Sequence, residues 1–238
     1  GRYPNVITSL EFERLISASG PTHGHLTRLS DGKPVRRLGF IQCVGSRDIK
    51  HSRFCSSVCC MYATKEAVIA KEHMAQIQPT IFYIDMRSYG KDFDKYVERA
   101  KDEYGVRYVR HMVSLIREDP QTNNLWLRHE AEDGTMVDEE FDMVVLSVGF
   151  VPSASAQELA ARLGVELNCH GFCQTDSLAP LSTTRPGVFV GGAFSAPKDI
   201  PETVIQASGA AAAVGALLAP ARGTLVKHKE YPPERDIR

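Results

Sequence analysis

Three stretches of the chain are almost unbroken in apolar residues: "RRLGFIQCV" at 36–44, "TIFYIDM" at 80–86 and "FDMVVLSVGF" at 141–150. Short continuous runs rich in β-branched and aromatic residues predict strands buried on both faces, as in a parallel sheet. Between the first two, residues 55–76 carry a helical spacing through Met61, Lys65, Ala67, Val68 and Ile69, which makes a β-α-β unit. A charged helix is expected from Lys91 to about Tyr104, then "GVRYVRHMVSLIRE" and "LWLRHEA" as strands around the polar turn "DPQTNN". Further on, "RPGVFVGGAF" at 185–194 reads as a strand running into a glycine pair, followed by a small-residue helix from Pro201 to about Leu218 with Asp199 close to its cap. Strands and helices in this order predict an α/β fold of the dinucleotide-domain type. The proline- and charge-rich end, 220–238, reads as a linker.

Composition narrows the picture. The chain has 238 residues with 28 basic against 29 acidic side chains, which gives no electrostatic reason to expect nucleic acid or an anionic membrane. No consecutive apolar run reaches the roughly 18 residues that span a bilayer, so no direct membrane insertion is expected. The opening "GRYPNV" has neither an initiator Met nor a signal-peptide core, and the chain reads as an excerpt of something longer.

Cysteine changes the picture most. Four of the six cysteines, Cys43, Cys55, Cys59 and Cys60, fall in one window with the spacing C-x11-C-x3-C-C. Clustering of this kind, in a chain with ample helix and strand pattern, favours a reducing, cytoplasmic compartment and use of the thiols as ligands or redox groups. Cys55 and Cys59 would share a face of a helical turn, and Cys43 closes the strand before it. Cys60 lies about 100° further round a regular helix than Cys59, so using both neighbours requires a distorted helix start or a loop. Small buried thiols that merely pack are the bland alternative. Structural zinc sites usually present two C-x2-C pairs, absent here; a [4Fe–4S] cluster tolerates irregular spacing better, although this pattern differs from the common ferredoxin run.

The segments "FIQCVGSRD", "FCSSVCCMYATKEA", "FYIDMRSYGKDF", "GGAFSAPKDIPETVIQASGAAAA" and "NVITSLEFERLISASGPTHG" together resemble the family of heterodisulfide reductase A-type subunits, which carry flavin and iron–sulfur clusters, and the related flavin subunits of quinone-interacting membrane-associated oxidoreductases. The resemblance implies a thioredoxin-reductase-like flavoprotein core that binds FAD, with a [4Fe–4S] cluster on Cys43, Cys55, Cys59 and Cys60. It implies an electron-transfer role, with electron bifurcation known in relatives, alongside B- and C-like subunits, a hydrogenase or other donor modules around a homodimerised core. It places Lys65 beside the flavin N5, where an ammonium would stabilise a reduced, anionic flavin and donate a proton or hydrogen bond. It also places Val204, Ile205 and Gln206 near the flavin edge, and makes "LSVGFVPSA" at 146–154 the crossover between domains.

The expected layout is therefore 1–35 as a segment of the FAD-binding domain and crossover, 36–148 as a degenerate NAD(P)-type domain carrying the cluster, and 149–219 as the later part of the FAD-binding domain. Its first strand and glycine motif are expected upstream. The residues agree in part. A dinucleotide turn would carry G-x-G-x-x-G, but "QCVGSRDIKHSRFCSSVCC" retains only Gly45 in the turn, so direct reduction by NAD(P)H is not expected. Gly191 and Gly192 suit close backbone approach to a flavin's ribityl-pyrophosphate arm, and the following helix's amide end would face the flavin. Ala193 departs from the Asp often found after such a glycine pair. Asp85, Arg87 and Lys91 read as a solvated strand end, and Arg47, Lys50, His51 and Arg53 as a solvated basic run. Cys169 and Cys173 read as incidental thiols, and His23 and His25 as solvated or structural. The competing functions are a pyridine-nucleotide-dependent disulfide reductase using Cys59 or Cys60, and a zinc-stabilised interaction module.

Overall fold

The computed structural model describes residues 2–221, 223, 227–233 and 235, so the linker expected over 220–238 lies partly outside the described residues. The chain divides into two compact units, Gly1–Val151 and Pro152–Arg238.

The first unit contains β1 (Val6–Thr8), α1 (Ser9–Ile16), β2 (Arg37–Val44), α2 (Cys59–His73), β3 (Gln78–Phe82), α3 (Phe93–Asp102), β4 (Arg107–Val109), β5 (Leu115–Glu118), β6 (Leu125–Glu130), β7 (Met136–Phe141) and β8 (Met143–Val148). Five strands form a parallel sheet in the order β1-β8-β2-β3-β4, while β5, β6 and β7 form a separate antiparallel sheet. Alternation along each parallel strand explains the continuous apolar runs, because both faces are covered. Leu38, Phe40, Ile81, Met143 and Val145 pack with Phe12, Leu15 and Ile16 of α1 and Ala63, Ala67 and Val68 of α2. Phe82 and Val144 face Leu125, Leu127 and Phe141 of the antiparallel sheet. Gly39 lets that sheet lie close, since a Cβ there would stand 3.2 Å from the Phe141 ring.

Two expectations change. The run at 105–118 is two short strands in different sheets, β4 and β5, broken between them. Strand β7, "MVDEEF", has no apolar alternation to betray it. Its acids serve as ion-pair partners: Glu139 meets Arg37 and Arg107 at 2.6 Å each, and Asp138 meets Arg128 at 2.7 Å.

The second unit holds α4 (Ala156–Leu163), closed by left-handed Gly164, and α5 (Ile200–Leu218). Its small core joins Ala160, Val165, Cys173 and Val190. The strand expected at 185–194 does not form as a ladder: only an isolated bridge between Ser182 and Phe189 is made, and Gly192–Phe194 is a 3₁₀ turn. Helix α5 has the expected extent and a capping box in which Asp199 and Glu202 exchange hydrogen bonds. None of its residues is buried, and the stretch Ile200–Ala221, of mean hydropathy 1.6, is long and apolar enough by length and composition to cross a membrane. Alanine, glycine and serine interrupt its apolar runs without making the helix polar, and one helix that passes by length and composition alone does not overturn the expectation of no membrane insertion.

Candidate functional site

In an open parallel sheet, ligands bind beyond the carboxyl ends of the strands where the strand order reverses. Here that place is β2. From it the chain proceeds outward through β3 and β4 on one side, while β8 pairs on its other side. Cys43 occupies that end of β2, within a bulge: Ile41 pairs with Leu146 and Val44 with Val148, so β2 carries one more residue than β8 across the interval. The extra residue turns the backbone, and Cys43 has φ 61°, a left-handed conformation that a non-glycine residue adopts only when its surroundings hold it there.

The loop that follows is ordered by its own bonds. Arg47 donates its backbone N–H to Phe54 (3.1 Å), Ser52 to Gly45 (3.3 Å), and the Ser46 and Ser56 hydroxyls meet at 2.6 Å. The Ser56 hydroxyl also accepts from the Phe150 amide at 2.8 Å. Cys55 lies in this loop, not on a helix, and its sulfur accepts from the Ser57 amide at 3.3 Å. Helix α2 then begins at Cys59, with Val58 as its cap and no side-chain hydrogen bond to the cap amides. The helical face expected to join Cys55 to Cys59 is thus absent, and Cys59 and Cys60 open the first turn of α2 straight after the loop.

Cys43 and Cys55 are half-buried, while Cys59 and Cys60 are buried. Burial raises the Cys43, Cys59 and Cys60 thiols above their ordinary range, Cys59 to about 12. The neighbouring thiols add to this: ionised Cys43 and Cys55 oppose ionisation of both Cys59 and Cys60. Burial therefore favours the neutral thiols here, and thiolates at these positions would repel one another. Among the described residues, no three His, Cys, Asp or Glu side chains are grouped to hold one metal ion. The amide end of α2, free of a side-chain cap, adds partial positive charge beside Cys59 and Cys60.

Sequence reading missed the charged groups around the thiols. Asp85 is not merely a solvated carboxylate: it pairs with Arg47 at 2.8 Å and Arg110 at 3.2 Å, and its backbone carbonyl accepts from the Cys60 thiol at 3.6 Å. Its carboxyl is held below the usual range chiefly by the Arg47 hydrogen bond. Arg47 is only a quarter exposed, and one of its guanidinium nitrogens, like Nε of Arg87, is buried without a hydrogen-bond partner. A basic residue placed between two clustered cysteines was the available signal.

Farther along α2, Lys65 and Glu13 of α1 form a half-exposed pair, with Nζ 2.7 Å from both carboxylate oxygens. Next to it Glu66 is 2% exposed, and one carboxyl oxygen has no partner. Burial, reinforced by Glu13 and opposed by Lys65, pushes its pKa up to about 8.

In the second unit, Gly191 is extended and Gly192 has φ 68°. A Cβ on Gly192 would stand 2.9 Å from the Thr203 methyl, and one on Gly191 would stand 3.3 Å from Gln206 Cβ. The pair therefore lets the turn press against the first turns of α5. Gln206 clasps it, accepting from the Gly192 amide (2.8 Å) and the Ser195 hydroxyl (3.2 Å). Val204 and Ile205 remain 57% and 71% exposed, and Ala193 is exposed. The amide end of α5 is partly claimed, since Asp199 takes the Glu202 N–H at 2.8 Å and Pro201 has none to offer. Cys173 is a buried core residue and Cys169 is exposed.

A parallel sheet with an antiparallel sheet on one face and helices on the other, and a ligand position at its strand-order reversal, is the architecture of a dinucleotide-binding domain. Residues 62–211 match the family model described as pyridine nucleotide-disulphide oxidoreductase, and the chain belongs to that family. The four clustered cysteines lie just before the matched segment. Over 225 residues the chain is 47% identical to the second of the CoB–CoM heterodisulfide reductase iron-sulfur A subunits of Methanopyrus kandleri, covering 92% of this chain and 34% of that protein. It is 47% identical over 220 residues to the CoB–CoM heterodisulfide reductase iron-sulfur A subunit of Methanocaldococcus jannaschii, covering 90% of this chain and 33% of that one. A third relative, the A subunit of the H(2)/formate:CoB-CoM heterodisulfide,ferredoxin reductase of Methanococcus maripaludis, is 46% identical over 220 residues, again 90% of this chain and 33% of the relative. The chain thus spans about a third of the length of the curated relatives it matches.

Proposed function

We propose that this chain is the electron-transfer core of a heterodisulfide-reductase-type oxidoreductase, in which Cys43, Cys55, Cys59 and Cys60 hold a [4Fe–4S] cluster and the second unit supplies part of a flavin site. The observation that carries the reading is the gathering of four thiols at the sheet's ligand position, where a pyridine nucleotide would otherwise lie. Two of the relatives are iron-sulfur subunits, which supports the same cofactor class. When bound, the flavin would supply two-electron chemistry and the cluster one-electron chemistry.

The chain's own residues would act as follows. The bulge at Cys43 and the bonded loop hold two ligands fixed before any cluster arrives, and the start of α2 presents the other two. Gly191, Gly192 and Ala193 would admit the flavin's ribityl-pyrophosphate arm, with Gln206 bracing the turn and Val204 and Ile205 offering an apolar wall. Lys65, steered by Glu13, would hold a proton or hydrogen bond at the flavin N5. In this reading residues 1–35 and 149–219 belong to the FAD-binding domain and 36–148 to a dinucleotide domain converted to cluster binding. Partners are the other subunits of a multi-subunit redox complex.

A disulfide-exchange role for Cys59 is disfavoured, because the attacking species is a thiolate and burial pushes this thiol up to about 12. Cys55→Ala and Cys59→Ala test the ligand set directly. Each is expected to lose most of the iron and acid-labile sulfide of the reconstituted chain while its far-ultraviolet circular dichroism is unchanged; full iron retention in both would overturn the assignment.

A further inference from the structure

The thiol pocket has a charged wall that the ligand set does not account for. Arg47 sits in the loop between two of the cysteines with φ 56°, a left-handed conformation fixed by its backbone bond to Phe54. Nη2 is moored to Asp85 at 2.8 Å, whereas Nη1 is buried and has no hydrogen-bond partner. Arg87 follows β3, and its Nε is likewise buried and unpartnered. A buried donor on a cation without an acceptor costs free energy unless an anion occupies the space it faces. Both residues stand beside the thiols: Arg47 and Arg87 neighbour Cys43, and the Arg87 backbone N–H neighbours Cys60.

Resting on the four-cysteine reading above, we infer that Arg47 and Arg87 are the electrostatic seat of the cluster, two fixed guanidiniums that stabilise its more negative, one-electron-reduced form and so raise its midpoint potential. A cubane on four thiolates is an anion before it accepts an electron and a stronger one afterwards, so a nearby fixed cation favours the reduced side. The effect is larger in a pocket shielded from water than at a surface. The ion pair with Asp85 keeps Arg47 from turning out to solvent, and Arg110 shares that carboxylate at 3.2 Å, leaving it less able to neutralise Arg47. No bond is made or broken: one electron enters from an external donor, and the guanidiniums remain protonated throughout. Asp85 is a positioning residue, acting only through Arg47.

The test is a mediator-equilibrated redox titration of the reconstituted chain, followed by electron paramagnetic resonance of the reduced cluster, with dithionite as the reductant. Arg47→Gln and Arg87→Gln are each expected to keep the parental iron and sulfide content and to titrate at a more negative potential, the double variant more negative still. Arg47→Lys, which keeps the charge, is expected to lie near the parent. If Arg47→Gln loses its cluster, Arg87→Gln carries the measurement. Unmoved potentials in iron-replete glutamine variants would overturn the inference. Loss of iron from every variant, lysine included, would overturn it as well, because the guanidiniums would then be packing elements. Failure of the four-cysteine reading is separately visible, as a parent chain that takes up no iron or sulfide.

Discussion

The turn at the end of β2 and the turn at the start of α5 are the two places where the proposed cofactors would lie, and they are built to opposite specifications. The first is closed. Its thiols are half-buried or buried, its loop is bonded to itself, and the strands beneath it are covered by helices on one face and a second sheet on the other. The second is open: Gly191 and Gly192 are clasped by Gln206, yet no residue of α5 is buried and Val204 and Ile205 remain exposed. A ligand at the first turn would be held by local residues alone. At the second, this unit offers one wall of a site and leaves the other to be supplied.

The comparison would be broken most sharply by cofactor uptake. The 238-residue chain is expected to take up iron and sulfide on reconstitution but to bind FAD weakly, since its sequence holds no G-x-G-x-x-G turn to cradle a pyrophosphate and only one wall is offered at α5. Tight, stoichiometric FAD measured by equilibrium dialysis would show that the second unit is complete.

The next largest effect belongs to Glu66, beneath the closed site. Its native pKa is raised to about 8 from an unfolded value near 4.5. Below the unfolded pKa both states are protonated and the chain has its full stability. As pH rises towards 8 the unfolded state releases the proton and the native state keeps it, so stability falls by on the order of 4 kcal/mol and then levels off. Glu66→Gln should flatten this slope in urea unfolding followed between pH 4.5 and 8, and should be the more stable form at the upper end. A parallel slope in the variant would mean that Glu66 is ionised in the native chain.

The smallest effect tests the open region. Asp199→Ala removes the cap of α5 and half of its capping box, at a cost of about 1 kcal/mol. The loss should appear as reduced helicity at 222 nm with the iron content unchanged. A change in iron would contradict the proposal that residues of the first unit alone hold the cluster.

Much of the closed unit was legible in the sequence because its strands are buried on both faces and its helix packs over a covered sheet. The buried runs placed β2, β3 and β8, whereas the distorted helix start or loop expected at Cys59 and Cys60 is not formed: both residues open a regular helix, and the loop ends just before them. The loop's left-handed residues Cys43, Arg47 and Ser57 were not legible, because none is a glycine and each is held by contacts that exist only in the fold. Strand β7 was missed because its acids answer Arg37, Arg107 and Arg128 on distant segments. For the same reason Arg47 and Asp85 looked like solvated charge until each was seen beside the other. In the open unit, the apolar run at 185–194 carried a strand-like composition without a neighbouring strand to pair with, and composition alone does not make a ladder.

The central claim is that the thiols at the end of β2 hold one cubane. Iron, zinc and acid-labile sulfide analysis of the chain after anaerobic purification and reconstitution, with Mössbauer spectroscopy of an iron-57 sample, addresses it most directly. The expected result is about four iron and four sulfide per chain in a single cubane environment. One zinc per chain with no sulfide, or a chain that holds neither metal while its far-ultraviolet spectrum shows it folded, would contradict it.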